Sequence, residues 1–216
     1  MNELVMPNYR APYRELEIRR TIGSRNTPRV QEPLEEMLPA ATFIEQLEEV
    51  RARGTRVVLL RIESAGGLVD ESFLIYEALR RFSRDGGRVV VHVAGWCGST
   101  ATFIALAGDY VVLDPAAKFL VHGMNGYAPA RTRELNRRVR AIYAERSGGL
   151  TPNHELDEWL TLEAAAAVCL TGEAAVCRGW ADFVAQRFFA QHLADMLAEG
   201  RAMPSVRQTA ILEERT

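Results

Sequence analysis

Apolar residues follow two patterns in the middle of the chain: short continuous runs, and stripes with helical spacing. Arg56–Ile62 and Arg88–Ala94 are short runs rich in β-branched residues, which is typical of strands buried in a parallel sheet. Apolar spacing predicts a helix over residues 69–82 between these runs, and another over residues 41–53 that ends at Gly54. Strands that alternate with helices predict βαβ crossovers and a parallel sheet covered by helices.

The flanking segments divide the chain further. Residues 1–40 contain five of the nine prolines and predict an N-terminal arm with one edge strand over Leu16–Ile22. We expect one α/β domain over residues 41–185, with a charged helical segment at about 129–168. The helix there is predicted to be followed by a second one from Glu155 to Val168. Residues 186–216 predict a C-terminal helical tail whose end frays.

Composition excludes several classes of protein. A chain of 216 residues with 48% hydrophobic and 25% charged residues can bury a sizeable core. The balance of 26 basic against 28 acidic residues argues against a nucleic-acid partner. No apolar run reaches the ~20 residues of a membrane span, and the charged, proline-broken start is unlike a signal peptide. We therefore expect a cytoplasmic protein with no membrane association.

Cysteine usage gives no sign of a metal or a disulfide framework. The three cysteines, Cys97, Cys169 and Cys177, form neither an even set nor a paired metal-ligand motif. Cys97 is expected to be a small buried packing residue. The sequence contains no Walker A loop, no GxGxxG fingerprint and no HExxH motif. The sequence therefore predicts no cofactor and no metal.

Two glycine-containing turns follow predicted strands, at the sheet edge where open parallel sheets bind ligands. One spans Glu63–Gly67, and the other runs from Gly95 through Ser99 to Ala101. A serine that opens a helix lies near backbone N–H groups and a dipole that favours negative charge, as an alkoxide or oxyanion requires. The same position is typical of an ordinary helix N-cap, so the turn alone leaves both interpretations open.

A nucleophilic serine requires a general base, and His122 is the candidate. It ends a predicted strand and precedes Gly123, again at the ligand-binding edge. The remaining histidines are predicted to lie within a strand or in polar surface segments: His92, His154 and His192. A Ser–Lys dyad would require Lys118, the only lysine, for which a structural role is favoured. Ser99 and His122 together predict a nucleophile–base couple.

Four motifs occur in a characteristic order. They are the turn Ser64-Ala65-Gly66-Gly67, the helix-opening segment Gly98–Gly108, the strand Pro115–His122 and the closing stretch Glu173–Asp182. In this order they resemble the proteolytic subunit of the Clp protease, a serine peptidase of the ClpP/crotonase superfamily. The resemblance, over about Val57–Val184, implies an α/β fold: a ClpP/crotonase-like parallel-sheet spiral of βαβ units with a protruding helical handle.

The resemblance also implies roles for individual residues. Ser99 corresponds to the nucleophile and His122 to the general base. The backbone N–H groups of Gly67 and Thr100 correspond to the oxyanion hole.

The family's third catalytic member is an aspartate, and this sequence has none at the equivalent place, near Ala167. Glu163, one helical turn earlier, is the candidate acid, and Asp157 is the alternative if the helix is shifted. Loss of an orienting carboxylate costs on the order of 10⁴ in turnover without abolishing catalysis.

The resemblance implies a serine endopeptidase that cleaves peptides or unfolded proteins through an acyl-enzyme. It further implies a homo-oligomeric chamber of stacked rings and an ATP-dependent unfoldase as partner. Two alternatives stay open: a non-catalytic structural or regulatory subunit, and a crotonase-like acyl-CoA enzyme with Gly67 polarising a thioester. For the arginine-rich helix in the handle, a solvated face is the favoured interpretation. An oligomer contact is the second interpretation, and an RNA-binding patch is the third.

Overall fold

The computed structural model of the protein describes residues 12–23, 37–161 and 166–201. Its strands are β1 (Arg14–Ile18), β2 (Thr21–Ile22), β3 (Met37–Leu38), β4 (Val57–Ser64), β5 (Arg88–Gly98), β6 (Tyr110–Leu113), β7 (Lys118–Val121), β8 (Val168–Leu170) and β9 (Phe183–Val184). Its helices are α1 (Ala40–Ala52), α2 (Val69–Arg84), α3 (Thr100–Ala105), α4 (Pro129–Ser147), α5 (Asn153–Trp159), α6 (Gly172–Cys177) and α7 (Arg187–Ala198).

The main sheet confirms the predicted parallel α/β architecture. Its strands lie in the order β1-β4-β5-β6-β9, and every neighbouring pair in that order is parallel. The long strand β5 serves two parts of the sheet, because Val90–Val93 pairs with β6 while Trp96–Gly98 pairs with β7. This arrangement brings the ends of β4, β5 and β7 to one edge. The predicted edge strand over Leu16–Ile22 is split into β1, at the edge of the sheet, and β2, which pairs with β3.

Both faces of the central strands are buried, which explains their continuous apolar sequences. On one face, Val58, Leu60 and Ile62 of β4 belong to the large core that contains α1, α2 and α3. On the other face, Val57 and Leu59 pack with apolar side chains of α7. The predicted C-terminal tail thus supplies a helix that covers the second face of the sheet.

The predicted handle, residues 129–168, contains α4 and α5. Helix α4 lies against the domain, with Leu135, Val139 and Tyr143 buried in the core. Ion pairs connect it to α2 at separated points: Arg131–Asp70, Arg138–Glu77 and Glu145–Arg80. Some of the surface arginines of α4 therefore form ion pairs within the chain.

The second helix predicted for this segment is shorter than expected. It ends at Trp159 rather than at Val168. Residues Val168–Leu170 form β8 instead, antiparallel to β7, because backbone pairing with β7 overrides the local helical tendency of an alanine-rich segment. Within the described parts of the chain, no helix combines the length and the apolar character needed to cross a membrane.

His92 lies in the middle of β5, as predicted, and is 2% exposed. Neither ring nitrogen has a hydrogen-bond partner in the structure. Burial, which disfavours the imidazolium, lowers the pKa of His92 to about 4; nearby Arg61 acts in the same direction and Asp114 opposes it. The unfolded chain therefore binds a proton that the folded chain rejects. The resulting stabilisation is present above the unfolded pKa and is lost as the pH falls towards 4.

We predict that His92→Leu flattens the acid side of the stability profile. Between about pH 7 and pH 4, the free energy of unfolding should fall by about 3 kcal/mol less than in the wild type. Urea denaturation at several pH values measures this. The control is His154→Gln, because His154 is exposed at the start of α5. Parallel profiles for the wild type and His92→Leu would show that the buried imidazole does not govern acid sensitivity.

Candidate active site

The turns that follow β4, β5 and β7 meet at one edge of the sheet. Strand β5 ends at Gly98, which pairs with Leu120 of β7. The predicted couple lies just beyond this pair, because Ser99 directly follows Gly98 and His122 directly follows Val121, the last residue of β7. The Ser99 N–H also donates to the Leu120 carbonyl, at 2.9 Å. Strand pairing thus determines the relative position of the two residues.

Four of the sequence-predicted site residues line a single pocket of about 290 Å³: Gly67, Ser99, Thr100 and His122. Its other walls are formed by Leu68, Val69 and residues 124–127. The fifth predicted site residue, Glu163, lies outside the residues that the structure describes. The fold thus brings the candidate nucleophile, base and backbone donors together.

Ser99 has a left-handed backbone, with φ +53° and ψ −126°. Among the described residues it alone has a positive φ without being a glycine, a conformation that costs on the order of 1–3 kcal/mol. Its side chain makes no capping hydrogen bond to α3. The N-cap interpretation therefore does not account for the hydroxyl, which is left available on the pocket side of a strained strand-to-helix turn.

The glycine turn packs directly against this serine. A Cβ atom on Gly66, whose φ is +96°, would lie 2.6 Å from the Gly98 carbonyl oxygen and 2.9 Å from the Ser99 Cβ. Strand β2 holds the turn from the other side, since the Ile22 N–H donates to the Gly66 carbonyl and the Leu68 N–H donates to the Ile22 carbonyl. In this parallel bridge the N–H of the intervening Gly67 points away from β2.

The His122 ring is oriented by backbone. Its Nδ1 lies 2.7 Å from the Gly123 carbonyl oxygen. A carbonyl only accepts hydrogen bonds, so Nδ1 carries the proton and Nε2 of the neutral ring keeps its lone pair. Nε2 is the nitrogen that acts as general base in a serine–histidine couple.

Comparison with known proteins identifies the family of this chain. The model of the Clp protease family matches residues 29–148, more than half of the chain. The chain belongs to the Clp protease family. Among solved structures, a point mutant of ClpP1 from Listeria monocytogenes matches with a TM-score of 0.65 and 17% sequence identity, over 82% of this chain and 94% of that chain. Among curated proteins, no sequence matches.

In this Clp protease family member, the pocket contains neither the alternative acid, Asp157, nor the alternative base, Lys118. Asp157 is paired with Arg140 on the surface, which lowers the pKa of its carboxyl group. Lys118 is exposed on β7. Neither residue lines the pocket, so the described residues offer no Ser–Lys dyad there and no role for Asp157 beside His122. Cys97 is buried, as expected, and burial raises the pKa of its thiol.

Two supporting residues had no signal in the sequence. The Asn136 side chain accepts from the Met124 N–H at 2.7 Å and donates to the Leu160 carbonyl at 2.8 Å. It thereby joins the pocket wall to the end of α5. The Tyr143 hydroxyl is hydrogen-bonded to Thr102, whose own hydroxyl donates to the Ser99 carbonyl. Both residues belong to α4, and their hydrogen bonds reach other segments of the chain, which apolar periodicity does not reveal.

We predict that Gly66→Ala disrupts the site far more than Gly54→Ala does. Both glycines have a positive φ, but a Cβ on Gly54 would meet nothing within 4 Å, whereas one on Gly66 would collide with the Ser99 turn. The backbone cost of about 1–2 kcal/mol is common to both variants. The melting temperature and the rate of active-site labelling should therefore both be lower in Gly66→Ala than in Gly54→Ala. Equal effects in the two variants would contradict a close contact at Gly66.

Proposed function

We propose that this member of the Clp protease family is a serine endopeptidase. The observation that carries the proposal is that Ser99, with its strained backbone and a hydroxyl that makes no capping hydrogen bond, shares one pocket with His122, whose Nδ1 lies against the Gly123 carbonyl. Nucleophilic catalysis requires a hydroxyl and a base in a common site. Family membership makes a peptide bond the expected target.

In the proposed reaction, the Ser99 Oγ attacks the carbonyl carbon of a peptide while His122 Nε2 takes the hydroxyl proton. The N–H groups of Gly67 and Thr100 stabilise the oxyanion. The carbon–nitrogen bond then breaks, the imidazolium gives its proton to the leaving amine, and an acyl-enzyme forms. Water, deprotonated by His122, hydrolyses the ester and regenerates Ser99.

The substrate proposed is an unfolded protein or a peptide in extended form. Apolar walls from Leu68, Val69 and Met124 support an apolar side chain beside the scissile bond. We further propose that the chain assembles into a homo-oligomeric chamber of stacked rings that receives substrate from an ATP-dependent unfoldase. Membership of the family supports this part of the proposal.

A non-catalytic subunit is the second candidate, and one observation favours it. None of the residues that line the pocket is an aspartate or a glutamate, and Nδ1 of His122 contacts a backbone carbonyl, that of Gly123. The crotonase-like alternative has no comparable support.

Ser99→Ala is expected to abolish covalent labelling by a fluorophosphonate probe, since the attacking oxygen is removed. Intact mass should show one adduct on the wild type and none on the variant. The matched control is Ser83→Ala, which removes a hydroxyl of α2 that donates to Asp109, away from the pocket. Size-exclusion chromatography checks that folding and assembly are retained. A labelled Ser99→Ala protein would refute the proposed nucleophile, and an unlabelled but folded wild type would favour the non-catalytic subunit.

Glu163→Gln should slow labelling by about 10³- to 10⁴-fold if Glu163 orients His122. Asp157→Asn provides the control, because the Asp157 carboxylate is exposed and paired with Arg140; its labelling rate should stay close to that of the wild type. Stopped-flow or quenched labelling measures both rates. An unchanged rate for Glu163→Gln would leave the Gly123 carbonyl as the group that orients the imidazole.

A further inference from the structure

Two buried hydroxyl groups meet beside the pocket. The Ser72 Oγ lies 2.8 Å from the Thr100 Oγ1. Ser72 is 0% exposed and Thr100 is 1% exposed. Ser72 belongs to a face of α2 whose other members are apolar: Val69, Phe73, Ile75, Leu79 and Phe82. A hydroxyl there would be costly without a partner.

The direction of the hydrogen bonds follows from the third group. The Ser72 Oγ also lies 2.8 Å from the Leu68 carbonyl oxygen. Because a carbonyl only accepts, the single Ser72 proton is directed to Leu68, and Thr100 donates to Ser72. The result is a continuous chain from the Thr100 hydroxyl through Ser72 to the Leu68 carbonyl.

This chain joins the two loops that hold the candidate oxyanion donors. Leu68 directly follows Gly67 after β4, and Thr100 directly follows Ser99 after β5. Oxyanion stabilisation depends on donors held at fixed positions, and these two donors come from different strands. The contact between Gly66 and Ser99 prevents the loops from approaching further, whereas a directional hydrogen bond also prevents them from moving apart.

We propose that Ser72 is a positioning residue that holds the Gly67 and Thr100 N–H groups at the spacing needed by a tetrahedral oxyanion. The inference rests on the proposed peptidase function and deepens it. Ser72 does not line the pocket, so it acts through Thr100 and Leu68 rather than on the substrate.

The test uses the full-length protein and a peptidyl phosphonate, which forms a tetrahedral adduct on serine. In Ser72→Ala the inactivation rate constant kinact should fall about 10- to 100-fold, below the loss of ~10²–10³ for a missing donor. The binding constant KI should change little, because the pocket walls are intact. Affinity for a peptide boronate, whose adduct carries an oxyanion equivalent, should fall by a similar factor.

Thr100 provides independent variants. Thr100→Val removes the same link with little change of volume and should match Ser72→Ala, while Thr100→Ser, which keeps the hydroxyl, should lose less kinact than Thr100→Val. The double variant Ser72→Ala/Thr100→Val should be no slower than either single variant, since both remove one interaction. Ser83→Ala, which loses a comparable hydrogen bond on the same helix, should be neutral.

The outcomes separate this inference from the proposed function. A wild type that does not react with the phosphonate overturns the peptidase itself. A reactive wild type with an unchanged kinact in Thr100→Val overturns the positioning role, as does an equal loss in KI and kinact or an additive double variant. If Ser72→Ala does not fold, the comparison of Thr100→Val with Thr100→Ser decides alone.

Discussion

The candidate site depends on the close approach of two backbone loops at the ends of β4 and β5. Gly66 lies so near Ser99 and Gly98 that a Cβ atom would overlap both. This contact requires β4 and β5 to be adjacent and parallel, with their carboxyl ends level, as the register of the two strands provides. A shift of either strand would separate Gly67 from Thr100, the two candidate oxyanion donors.

Two chains of hydrogen-bonded hydroxyl groups then stabilise the loops at the ends of these strands. The Thr100 hydroxyl reaches the Leu68 carbonyl through Ser72, and the Tyr143 hydroxyl reaches the Ser99 carbonyl through Thr102. Each chain ends on a carbonyl, which gives it a defined direction. Buried hydrogen bonds of this kind contribute modestly to stability, on the order of 1 kcal/mol each. Here they end on the backbone of Leu68 and of Ser99, beside the candidate pocket.

On the opposite face of the sheet, burial affects a titratable side chain. Helix α7 covers apolar residues of β4 and β5 and leaves His92 enclosed without a hydrogen-bond partner. We therefore expect the pH dependence of stability to arise partly from this face, which takes no part in the pocket. The candidate site at one edge of the sheet is thus separate from the buried His92 on this face, and variants of one need not disturb the other.

The sequence by itself determined the alternation of strands and helices, because β-branched runs such as Arg56–Ile62 and the apolar stripe of α2 are local patterns. It also determined the order of the four motifs, on which the family resemblance depends. The tertiary structure alone decided that Val168–Leu170 pairs with β7 instead of continuing a helix, and that Ser72 meets Thr100. These features arise between segments far apart in the chain, where backbone pairing and side-chain hydrogen bonds depend on distances that local periodicity does not encode. The role of Glu163 stays a prediction, since that residue lies outside the described parts of the chain.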